Sequence, residues 1–145
     1  RDTVNRYRAD ARGYLRVFRQ NVLAARLQYF TADAPLPAYE RMLLGGASTL
    51  RGFRAGAFDG DRMAVASAEL RAPLTSVLRS AKLGVTVFAD AGKAVDFGDR
   101  LGDARWRRGA GAGLFLIAPF VQLNLDVAHG AGSGTRLNVG TGFSF

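Results

Sequence analysis

Cysteine is absent from the 145 residues, which removes thiol catalysis, thiolate metal sites and disulfides, although it says little about cellular compartment. No window approaches the roughly 18 consecutive apolar residues that a membrane-spanning helix needs. Any crossing of a membrane would therefore use a barrel, whose strands need only about 9–11 residues each. The chain opens with neither Met nor a short apolar stretch ending in a small-residue cleavage site, so the targeting segment of an exported protein is expected upstream of Arg1. Histidine occurs once, as His129 beside Gly130 at the end of an alternating segment, and reads as a loop residue rather than a general base or metal ligand. The glycine-rich stretches 109–113 and 130–135 lack the G-K-[ST] ending and the following helical pattern of a phosphate loop. No catalytic residue, cofactor or metal site is expected.

What the chain carries instead is positive charge and alternation. Twenty Lys and Arg against 12 Asp and Glu give a net charge of +8, with a pI near 11.0. Such a balance raises the prospect of nucleic acid or another anionic surface as partner. The arginines are nevertheless spread along the chain at alternating positions, which also suits a wet barrel interior or a rim at lipid headgroups.

Over residues 3–18, Arg6, Arg8, Asp10, Arg12 and Arg16 share one parity, and Tyr7, Ala9, Ala11, Gly13, Leu15 and Val17 the other. A helix competes here, since Arg8, Arg12 and Arg16 are also four apart, but Gly13 costs a helix about 1 kcal/mol relative to Ala. After a turn at Arg19-Gln20-Asn21, Leu23, Ala25, Leu27 and Tyr29 oppose Ala24, Arg26 and Gln28. A long loop, about 32–61 and rich in Gly and Pro, has no clean period, and loops of that length usually carry function or are disordered. Alternation returns at 62–72, is broken by Pro73, and resumes over 82–95 with Gly84, Thr86, Phe88, Asp90 and Gly92 on one face. In 106–117 the glycines 109, 111 and 113 fall on a single side. The segments 120–129 and 135–145 complete the pattern, the latter with Leu137, Val139, Thr141, Phe143 and Phe145 on one face.

These segments predict an all-β chain of about seven antiparallel strands, with connections that run short, long, short, long, short and medium. Alternating short turns and long loops, with one apolar and one polar face per strand, mark a transmembrane β-barrel whose brief turns face the periplasm. A soluble β-sandwich also alternates. Here the polar face is rich in Gly, Asn, Gln and Arg over all the segments, and the apolar face is small and uniform rather than bulky. Open edges in hydrocarbon would leave rows of unpaired amides. The chain is accordingly expected to be the C-terminal portion of one larger barrel domain over 1–145, with the missing strands before Arg1.

Within the long loop, Leu44-Gly45-Gly46-Ala47-Ser48-Thr49-Leu50-Arg51-Gly52-Phe53 resembles the loop motif of the BamA/TamA and two-partner-secretion transporter superfamily, a G-rich run before V/L-R-G-F/Y. The following Ala68-Glu69-Leu70-Arg71-Ala72-Pro73 and Phe88-Ala89-Asp90-Ala91-Gly92 are similar to that family's E-containing and F-x-D-x-G strands, in the same order and spacing. Singly these motifs are weak. Together they cover nearly the whole chain. The resemblance implies a sixteen-stranded outer-membrane barrel and a loop folded back into its lumen. It further implies a lock between loop and wall, formed by Arg51, Gly52 and Phe53 against Asp90 and Glu69, with Phe88 and Gly92 beside them. A planar guanidinium can hydrogen-bond two carboxylates at once and stays charged when desolvated.

Phe143 and Phe145 resemble the C-terminal assembly signal of outer-membrane barrels, and an aromatic girdle would account for them equally. The resemblance also implies a non-catalytic machine in the bacterial outer membrane that inserts barrel precursors or passes polypeptide. Its expected partners are outer-membrane lipid, unfolded or partly folded client polypeptides, and periplasmic or accessory lipoprotein subunits, with no nucleic acid. Two rival classes remain open at this level: a passive outer-membrane pore or structural barrel, and a soluble basic β-domain that binds nucleic acid.

Overall fold

A computed structural model describes residues 3–46, 49–78 and 81–141. In chain order the strands are β1 (Arg6–Arg16), β2 (Val22–Ala32), β3 (Met42–Leu44), β4 (Phe58–Gly60), β5 (Arg62–Leu78), β6 (Ala81–Val95), β7 (Arg107–Ile117), β8 (Gln122–Gly130) and β9 (Gly134–Thr141), with a single 3-10 turn at Leu101–Asp103. Seven of them form one antiparallel sheet in the order β1-β2-β5-β6-β7-β8-β9, and β3 pairs with β4 as a separate hairpin. The sheet is not closed: β1 and β9 are its two edges.

The period-two segments became strands because alternation gives each strand one face to bury and one to leave bare. Antiparallel pairing then extends the two faces across the sheet. The register Arg26↔Ser67, Ser67↔Asp90, Asp90↔Gly109 and Gly109↔Gly130 lays one row across the polar face. The next row runs Ala24↔Glu69, Glu69↔Phe88, Phe88↔Gly111 and Gly111↔Ala128. On the opposite face Leu27, Val87, Leu114, Leu123, Leu125, Val127, Leu137 and Val139 are exposed. The buried apolar cluster lies on the polar side, where Leu44, Leu50 and Phe53 of the long loop pack onto Met63 and Val65.

Several expectations need correction. Pro73 does not end its strand, for β5 continues to Leu78 with a register shift between Pro73 and Thr75. A bulge is where a strand accommodates a residue that cannot donate to the ladder. The stretch 32–61 contains the β3–β4 hairpin, and these three-residue strands are too short to display a period. The final connection, expected to be of medium length, is only residues 131–133. His129 is a strand residue, since β8 runs on to Gly130, and its Nδ1 lies 3.1 Å from the Thr135 hydroxyl on β9. The turn after β1 sits where it was predicted, with Arg19 in the left-handed region at φ 53°.

Candidate functional site

The centre of the site is Arg51, which the loop between β4's partner β3 and β4 itself presents to the polar face. Its guanidinium meets β6 and β5 together. Nε donates to Asp90 Oδ2 at 2.7 Å and Nη2 to Asp90 Oδ1 at 2.7 Å, a bidentate pair, while the Arg51 backbone N–H reaches Asp90 Oδ2 at 3.0 Å. Nη1 donates to Glu69 Oε2. The other Glu69 oxygen accepts from Arg71 Nε at 2.7 Å. Beneath the guanidinium lies the Phe88 ring, 3.7 Å from Cζ to the ring centroid. Phe88 stands opposite Glu69 in the β5–β6 register, so the strands themselves set carboxylate and ring side by side.

Arg51 is 2% exposed and Glu69 and Asp90 3% each. A lone charge so deeply buried would be strongly unfavourable. Here two cations meet two carboxylates, and the four groups satisfy one another. Burial works against the Arg51 charge, but hydrogen bonding and attraction to Asp90 and Glu69 outweigh it, so the guanidinium holds its proton more tightly than a solvated one.

Close approach of the loop depends on the wall having no side chains at the contact. A Cβ on Gly109 would lie 2.0 Å from the Arg51 carbonyl oxygen, and one on Gly130 2.5 Å from the Gly52 carbonyl oxygen. Gly52 itself has φ +96°, and a Cβ there would strike the Gly130 nitrogen at 2.6 Å. The stretch of glycines is thus a floor on which two backbones touch. Phe53 turns into the apolar cluster and meets Phe58 edge-on at 5.5 Å. Gly92 is set apart from the ion cluster, because its bare Cα makes room for Leu44 of β3.

Such a site offers no chemistry of bond making. It is a charge-neutral clamp between a loop and a sheet. A family model for the Omp85 superfamily domain matches residues 2–145. The chain belongs to the Omp85 superfamily. No curated protein matches it.

Omp85 proteins reside in outer membranes as β-barrels, are non-catalytic, and are associated with outer-membrane protein assembly and translocation. The seven-stranded sheet is part of such a barrel. No helix among the described residues is long and apolar enough to cross a membrane, which says nothing about crossing by strands.

Of the residues singled out from the sequence, the structure brings Arg51, Glu69, Asp90 and Phe88 into direct contact and seats Gly52 and Phe53 beside them. Phe143 and Phe145 lie outside the described residues. Arg71, Gly109 and Gly130 belong to the clamp and were not singled out for it. The one-sided glycines of 106–117 were the available signal, but what would rest on them was not readable. Asp61 was missed as well: it is buried between β4 and β5, where Oδ1 accepts the Leu36 N–H at 2.9 Å and Oδ2 the Phe97 N–H at 2.8 Å, so it fastens two loops beside the start of β5. Nearby, Arg41 Nε lies 2.8 Å from Asp59 and its Nη2 pairs with Asp96.

Proposed function

We propose that this sheet is completed by further strands into a closed, sixteen-stranded outer-membrane barrel that inserts barrel precursors or passes polypeptide, with the Arg51 loop locked inside its lumen. Residues 1–145 are then the C-terminal portion of that single domain. The observation that carries this reading is the Arg51 clamp, which fastens an otherwise long loop to the polar wall through Asp90 and Glu69. A merely solvated loop would gain nothing from burying a guanidinium against two carboxylates. Closure follows from solvent physics, since unpaired strand edges in hydrocarbon cost several kcal/mol per group. With the polar face inward, the exposed Leu, Val and Tyr side chains of the other face meet lipid.

Client strands would add by backbone pairing at an exposed edge, a form of β-augmentation. β9 supplies such an edge, weakened at Gly140 by the lack of a side chain to pack. In the full-length protein, Arg51→Ala should lower the amount of assembled outer-membrane client and expose the 33–61 loop to protease, while Arg54→Ala, at an exposed position, should leave both at the native level. Equal protease sensitivity of the two variants would overturn the lock.

A further inference from the structure

The polar face is divided electrically. On β5 to β8 the carboxylates Glu69, Asp90 and Asp126 share the face with Arg51, Arg71, Arg107 and Lys82, so opposite charges nearly balance, and this half lies under the loop. On β1 and β2 the same face carries Arg6, Arg8, Arg12, Arg16 and Arg26 against the single carboxylate of Asp10. The β3–β4 hairpin packs on β5 and β6, two and three strands away from β1, which as the sheet's edge is exposed along its length. Along β1, side chains two residues apart stand about 7 Å from one another. The arginines therefore form a ladder from Arg16 at the turn end to Arg6 at the loop end. Asp10 organises its middle: it accepts from Arg12 Nε and Nη2 at 3.2 Å each, from Arg8 Nη2 and Arg26 Nη2 at 3.4 Å, and from Gln28 Nε2 at 2.9 Å. Arg6 and Arg16 have no carboxylate within ion-pair distance among the described residues.

We infer that this ladder is a lane for acidic stretches of extended polypeptide along the side of the lumen that the loop leaves open. The inference rests on the barrel reading above. An extended chain also repeats its side chains on one face about every 7 Å, so carboxylates two and four residues apart in an acidic segment can meet Arg6 and Arg8, about 7 Å apart, and then Arg12 and Arg16 at steps of about 14 Å. Low-dielectric walls concentrate the field of the ladder and raise the local concentration of anionic segments. The same field repels a lysine-rich segment.

The test uses the full-length protein in planar bilayers, with oligoglutamate and oligolysine peptides of equal length added on the turn side. Oligoglutamate should block the ionic current at a concentration about tenfold below that of oligolysine. Combining Arg8→Gln, Arg12→Gln and Arg16→Gln should abolish the difference. The corresponding triple Lys variant keeps the charge and should preserve it, which separates loss of the lane from loss of folding. Equal block by the two peptides, or discrimination that survives the triple Gln change, overturns the inference. So does a chloride preference without peptide discrimination, which would leave a filter for small anions alone. Failure to form any membrane-inserted, protease-resistant barrel would instead count against the outer-membrane reading itself.

Discussion

At the scale of the residue, arginine at position 51 is demanded by geometry and not by charge alone. Three separate donors and a flat face are all in use, the donors on Asp90 and Glu69 and the face on Phe88. Lysine would supply one point charge with no plane to stack. Arg51→Ala strands the buried Asp90 carboxylate and leaves Glu69 with Arg71 alone, and removing one partner of a buried ion pair costs about 3–5 kcal/mol. Arg51→Lys should lie between that variant and the native protein in loop protection, as measured by limited proteolysis. Gly109→Ala changes no charge, yet its Cβ would collide with the Arg51 carbonyl oxygen. It should therefore expose the loop to protease nearly as much as Arg51→Ala does, and a native digestion pattern would show that the backbone contact is dispensable.

At the scale of the element, the strands were legible because a half-buried sheet imposes period two on its sequence, and β1, β2, β6 and β8 carry that period with few exceptions. Pro73 misled for a definite reason: it reads locally as a stop, while its tolerance depends on a bulge that only the pairing with β6 reveals. The β3–β4 hairpin was invisible because three residues per strand make no pattern. Asp61 was equally unreadable. A single carboxylate before a strand gives no hint that it will accept backbone N–H groups from Leu36 and Phe97, which are 25 and 36 residues away in sequence. Asp61→Ala should leave those two amides without their acceptor, at about 1–3 kcal/mol for the buried Leu36 N–H and less for the Phe97 N–H, which lies nearer solvent. Faster hydrogen exchange at both amides would report it, and unchanged exchange at both would mean that other acceptors take over.

At the scale of the whole molecule, the two faces of the sheet meet different solvents in the proposed barrel, and an introduced arginine should be costly on one and tolerated on the other. Leu125, near the centre of β8, points from the apolar face, and Leu125→Arg there should destabilise the inserted barrel by about 2–4 kcal/mol. Asn138→Arg on the polar face of β9 should be tolerated within about 1 kcal/mol. Denaturant titration of the full-length protein in lipid vesicles distinguishes the two, and equal losses would argue against lipid on the apolar face.

The family, the seven strands of the main sheet and three of the clamp's four charged residues, Arg51, Glu69 and Asp90, could be read from the chain, because alternation is local and the motifs keep fixed spacing. Which backbone rests on Gly109 and Gly130, how Asp61 ties two loops together, and why the arginines of β1 stay open while Arg51 is enclosed were decided only by the tertiary structure. Those contacts join residues far apart in sequence across a sheet. Side-chain alternation specifies which face a residue takes, but not which distant segment will fold down upon it.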